Sequence, residues 1–194
     1  KDAGMMLLRD LTVGGSKRAL LDGASFLFVP IAAVDAHERF SAYSRINQRG
    51  PAEAGWRTNA RNLNLNRDYA KLDTPELRAV VGALAQWDPD LYVDLHVTDG
   101  GDFQYDVTWG ANGRPGWSPS ITDWIESVLT PAAEAELVRQ GHVPGPFGWP
   151  RDEDDLTKGF QVFSGIPRFS NGYGDARHLP TVLVENHSLK PYEQ

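Results

Sequence analysis

Three short apolar runs carry the pattern of this chain. Ser25-Phe-Leu-Phe-Val-Pro-Ile31, Leu91-Tyr-Val-Asp-Leu-His-Val97 and Thr181-Val-Leu-Val-Glu185 are rich in β-branched and aromatic residues and bounded by Gly, Pro, Asp or Asn. Such runs predict buried central strands. Helical spacing of Met5, Met6, Leu7, Leu8 and Leu11 predicts a helix over residues 4–12. Thr74-Pro75-Glu76 opens another with a cap and a proline at its first position, and Ser120 to Gln140 carries helical signals around Pro131. Strands alternating with helices define an α/β domain with a mixed, largely parallel central sheet flanked by helices.

Period-two alternation in the second run puts Tyr92, Asp94 and His96 on one face and Leu91, Val93, Leu95 and Val97 on the other. His96 lies at the C-terminal end of that strand, where ligands gather in open α/β sheets. Its residue type suits a metal, and Asp94 could orient its other ring nitrogen; a hydrogen-bonded structural His is the alternative. Glu185 ends an apolar strand, where burial disfavours a carboxylate unless a metal, a cation or a catalytic task compensates it. The alternative is a strand end turned to solvent.

Asn62-Leu-Asn-Leu-Asn-Arg-Asp68 repeats Asn at period two beside Arg67. An Arg fork matches a carboxylate bidentately and an Asn amide adds a donor, so Asn66-Arg67 can anchor a carboxylate; a polar loop with a solvated Arg is the alternative. Arg57 is open between surface charge and an electrophile stabilising an oxyanion.

Composition narrows the classes. The 194 residues, 41% hydrophobic, suffice for one domain, and neither a repeat nor a linker divides them. Ala111 to Pro119 and Gly141 to Asp155 read as long Gly/Pro-rich connections. A net charge of −7 disfavours nucleic acid. The longest apolar run, Phe26 to Val34, contains Pro30 and falls short of the roughly 20 residues of a membrane span. With no cysteine there are no disulfides, thiolate ligands or Cys nucleophiles. Gly14-Gly15-Ser16-Lys17 lacks phosphate-loop spacing, and Asp152-Glu-Asp-Asp155 reads as a solvated turn. His37-Glu38 has no second His at helical spacing, and His142, His178 and His187 have no obvious partners.

In order along the chain, Phe28-Val-Pro-Ile31 with His37-Glu-Arg-Phe40, then Trp56-Arg57, Asn66-Arg67, Leu95-His96 and Leu183-Val-Glu185, resemble the zinc carboxypeptidase family of the carboxypeptidase A type. The resemblance covers most of residues 1–190. It implies one zinc ion held by a His-x-x-Glu pair and a later His, matched here by His96. It further implies Glu185 as general base, Arg57 as the group polarising the scissile carbonyl, and Asn66 and Arg67 as the grip on the substrate's terminal carboxylate. Asp94 and Asn64 fall at supporting positions behind the metal site, and Tyr173 is the nearest counterpart of the phenol that closes over substrate.

The sequence contains no His-x-x-Glu, and Ala33-Val-Asp-Ala36 stands where the family has Asn-Pro-Asp-Gly. Both ends read as cut, so the expectation is a single partial catalytic domain over 1–194, inactive by itself, with its compartment left open. The implied activity is hydrolysis of the C-terminal amide bond of a peptide or small amide with a free carboxylate. Alternatives are a zinc deacylase, a peptidoglycan-trimming amidase, or a non-catalytic carboxylate-binding domain.

Overall fold

The computed structural model describes residues 2–112 and 118–191. Its strands are β1 (Tyr92–Val97), β2 (Val107–Gly110), β3 (Pro144–Pro146), β4 (Gly148–Pro150), β5 (Phe160–Val162) and β6 (Thr181–Asn186). The central sheet has the order β1-β6-β2-β3. β1 pairs parallel with β6 and β2 parallel with β3, while β2 runs antiparallel to β6. This is the mixed, largely parallel α/β sheet that the alternation of elements predicts. β4 and β5 form a separate antiparallel ribbon.

The helices are α1 (Asp2–Leu11), α2 (Val34–Glu38), α3 (Pro75–Trp87), α4 (Pro119–Trp124), α5 (Thr130–Arg139) and α6 (Ser170–Ala176). Between α4 and α5 one π turn spans Ile125–Leu129. Pro131 explains it: the ring lacks an N–H and crowds the carbonyl four residues back, so the helix widens just before the proline. α3 starts where Thr74 Oγ1 accepts from the Leu77 N–H at 3.3 Å and stops where Asp88 turns left-handed at φ 43°. Its Leu77 packs with Leu65 and Tyr69, and Ala33, Val81, Tyr92 and Tyr173 close around them.

Three expectations are corrected. Ser25–Ile31 is not a strand. A strand exists only where a neighbour supplies ladder bonds, and among the described residues none lies beside this segment. Phe28 instead sits over α1, where a Cβ on Gly4 would lie 2.5 Å from its ring. Second, β1 is the outer strand of the sheet, not a central one, and its apolar face of Val93, Leu95 and Val97 is about half exposed. β6 is an inner strand, buried along Thr181, Val182 and Leu183. Third, Gly141 to Asp155 is not a bare connection, since it contains β3 and β4. The middle of Ala111–Pro119 lies outside the described residues.

No helix among the described residues is long and apolar enough to cross a membrane.

Candidate active site

The site begins with strand register. His96 and Glu185 are Cα partners on the parallel pair β1 and β6, so their side chains leave the sheet on the same face. Asp94 lies on that face two residues earlier, its Oδ2 2.8 Å from His96 Nε2. The buried Ser170 at the start of α6 also hydrogen-bonds Asp94. Beyond them, Tyr92 and Tyr69 share a hydroxyl–hydroxyl hydrogen bond of 2.7 Å. The polar side of β1 is thus a continuous file from the tyrosines to His96.

Burial sets the electrostatics. It pushes Glu185 up to about 7; Asp99 and Asp94 add to the rise, and His96 and Arg57 oppose it. Burial also raises Asp94, but His96 and Ser170 outweigh it and leave the carboxyl below its ordinary value. His96 is pulled down by burial and carried above its ordinary value by Asp94 and Glu185. A carboxyl that titrates near neutrality beside a held imidazole is a combination found at acid–base sites.

Arg57 reaches the same end of the sheet. Its segment is pinned to α2: the Trp56 N–H donates to the Ala36 carbonyl at 2.7 Å, and Gly55 is needed because a Cβ there would strike that oxygen. Arg57 Nη1 lies 3.4 Å from Asp99 Oδ1, just past the end of β1. The turn holding Asp99 is fixed in turn by Asn47, whose amide donates to the Asp99 carbonyl at 2.9 Å.

The asparagine run is shaped by its own side chains. Asn59 Oδ1 accepts from the N–H groups of Arg61 and Leu63, both at 3.0 Å, and Asn64 Oδ1 accepts from the Asn66 N–H at 3.1 Å. The side-chain oxygen of Asn64 thus caps the turn Leu65–Arg67. Arg67 donates to the Asn66 carbonyl at 2.6 Å and lies 4.4 Å over the ring of Phe169, next to Ser170. Burial and the neighbouring Arg57 and Arg168 hold Arg67 below its ordinary value. Tyr173 stacks on Tyr69 at 5.7 Å, and its hydroxyl accepts from Arg177 at 3.2 Å.

Several contributors escape a reading of the sequence. Asp68, Asn59 and Ser170 are buried and polar. The signal for the first two was present as Asx residues ahead of turns; for Ser170 and Asp99 only the fold brings them to the site. Asp152 and Asp155 both pair with Lys158 on an exposed turn. His187 Nε2 meets the Phe103 carbonyl at 2.8 Å while Nδ1 accepts from the Leu189 N–H, which fixes a structural tautomer.

The zinc that the resemblance implies does not fit the donors present. Among the described residues no group of three or more His, Asp or Glu side chains could hold a metal ion. His96 uses Nε2 on Asp94, leaving one ring nitrogen for any ligand.

No protein family matches the chain by sequence, and no curated protein matches it either. Among solved structures, a metallo-carboxypeptidase from Burkholderia cenocepacia superposes with a TM-score of 0.51 at 18% identity, over 72% of this chain and 33% of that one. A protein from Burkholderia mallei gives a TM-score of 0.45 at 18% identity, over 72% of this chain and 34% of that one. The chain thus spans about a third of the length of the structures it resembles. The fold is that of part of a metallo-carboxypeptidase.

Proposed function

We propose that this chain forms the water-activating and substrate-anchoring part of a metallocarboxypeptidase-type hydrolase, as a single partial catalytic domain. The observation that carries the reading is the pairing of Glu185 with His96 across β1 and β6, with Arg57 at the same strand ends. The substrate is a peptide or small amide with a free terminal carboxylate. Asn66 and Arg67 bind that carboxylate, which limits cleavage to the last amide bond. Arg57 donates to the carbonyl oxygen as it becomes an oxyanion. Glu185, ionised in about half the molecules near its value of about 7, takes a proton from the attacking water and passes it to the leaving amine.

Asp94 fixes the His96 ring, and Asn64 shapes the turn that presents Arg67. Tyr173 contributes a hydroxyl to substrate after exchanging its bond with Arg177. Zinc is part of this reading only for a protein that adds further donors to His96.

The test is release of C-terminal residues, with zinc present, by a longer protein in which this domain is joined to further metal donors for His96, with Glu185→Gln as the diagnostic variant. Turnover should fall by roughly 10²–10⁴-fold with carboxylate binding retained. Undiminished turnover removes Glu185 from the chemistry. A deacylase or a wall-trimming amidase would use the same groups, and the products released from peptides, acyl-amino acids and wall fragments separate them. A rival of another class is a domain that binds carboxylates without cleaving. Retained binding with no turnover from any of these substrates would establish that rival.

A further inference from the structure

Cations gather at this site in excess of what the proposed reaction uses. Arg67 and Arg168 address one ring, that of Phe169, at 4.4 and 5.8 Å. Arg45 is half-buried in the loop whose Asn47 and Gln48 donate to the Asp99 and Thr98 carbonyls at 2.9 and 3.4 Å, which sets it beside the Arg57–Asp99 pair. Among the described residues Asp99 is the single carboxylate paired with any of these four arginines, and it pairs with Arg57. Among the described residues neither Arg45 nor Arg168 forms an ion pair.

Like charges held together without counter-ions cost free energy, and the chain as a whole is acidic at −7, so the grouping is not a by-product of a basic surface. Burial lowers Arg45 and Arg67, neighbouring arginines lower both further, and Asp99 only partly opposes the fall. The proposed reaction provides one substrate carboxylate, for Arg67, and one developing oxyanion, for Arg57. Arg45 and Arg168 remain, and of the two it is Arg168 that shares the aromatic platform of the carboxylate anchor and is exposed to solvent from which a ligand would enter.

We propose that the substrate's last residue is acidic, aspartate or glutamate, and that Arg168 binds its side-chain carboxylate while Arg67 binds its main-chain carboxylate. This rests on the carboxylate-anchoring role of Arg67. The Phe169 ring that both guanidinium groups contact offers an apolar wall for the substrate's short methylene stem. Planar guanidinium groups suit two separate carboxylates better than one, since each can grip its partner bidentately.

The experiment is calorimetric titration of the protein with N-acetyl-L-glutamate, N-acetyl-L-glutamine and N-acetyl-L-leucine, at low and physiological salt. Glutamate should bind at least 10-fold tighter than the other two. Arg168→Gln should remove that preference and leave the glutamine affinity unchanged, with near-ultraviolet circular dichroism confirming an intact fold. Equal affinities for glutamate and glutamine in the unaltered protein overturn the proposal, as does a preference that survives Arg168→Gln. If all three bind equally and Arg67→Gln abolishes binding, the anchor stands and the acidic preference falls. If none binds, the anchor itself fails and takes the preference with it.

Discussion

Asp68 and Thr74 are joined twice, Asp68 Oδ2 accepting both the N–H of Thr74 at 2.8 Å and its hydroxyl at 2.7 Å. Oδ1 takes the Asp73 N–H at 2.9 Å. One buried carboxylate therefore closes the loop between the Arg67 turn and α3. Burial would raise this carboxyl, but the bonds from Thr74 and Asp73 outweigh it and leave it below its ordinary value. Its contribution is present above the unfolded-state value and is lost as pH falls through the lower folded-state one.

Asp68→Ala is expected to destabilise by about 3 kcal/mol, since three backbone or hydroxyl donors lose a charged acceptor. For a chain of this size that is a Tm lower by roughly 6–12 °C. Because Arg67 is the adjacent residue, affinity for N-acetyl amino acids should fall with it. Thermal melts and titration of the variant check both, and an unchanged affinity would show that the loop tie does not position Arg67.

Asp175 should make the protein less stable at neutral pH than in mild acid. The residue is 8% exposed, and burial lifts it to about 6 although Asn112 donates to it. Folding favours its protonated form, so its contribution is full below the unfolded-state value near 3.8 and declines as pH rises to about 6. The decline amounts to about 2–3 kcal/mol. Asp175→Asn should therefore be more stable than the parent at pH 7.5 and match it near pH 4, as read from urea midpoints. A variant less stable at both pH values would show that the carboxylate has a partner worth more than its burial costs.

Gly174→Ala should cost about 1–3 kcal/mol through overpacking. A Cβ on Gly174 would meet the Thr181 side chain and lie 2.8 Å from the Leu179 carbonyl, a backbone atom that cannot swing aside. Since Ser170 and Phe169 ride on the same helix, the variant should also weaken carboxylate binding. Equilibrium unfolding and calorimetry are the readouts; a neutral effect would mean that α6 can lift from β6 freely.

Zinc added to these 194 residues should bind weakly, far short of the roughly 10–16 kcal/mol of closed three- and four-donor sites. Chelator should leave Tm unchanged. Tight binding of one ion per chain, lost in His96→Ala, would mean that donors converge on His96 when the metal is present.

Much of the sheet was legible because its two longest strands declare themselves. Thr181–Glu185 reads as a buried strand from its β-branched run, and the alternation in Tyr92–Val97 puts Asp94 and His96 on one face. What the pattern of single strands could not give was neighbour order. Nothing in Leu91–Val97 says that β1 is the outer strand, and nothing in Ser25–Ile31 says that a run so apolar has no pairing partner beside it. β3 and β4, Pro144–Pro146 and Gly148–Pro150, were hidden by residues that normally break strands. They form where Phe147, between them, packs against Trp149 and Phe163. For the candidate site, strand position and residue type single out His96 and Glu185, and Arg57 and Arg67 enter through the family resemblance. Asp99, Ser170 and Arg168 come from turns and a short helix whose meeting point depends on long-range contacts.

The in-register pairing of β1 with β6 also dictates when the site can come into being. Thr98 and Ser188, which tie the ends of these strands together at 3.1 Å, are 90 residues apart in the chain. No local contact rewards the closure of so long a loop before both strands are in place, so this pairing belongs to the slow, late stage of folding. On a ribosome, His96 waits through the synthesis of nearly half the chain before Glu185 emerges.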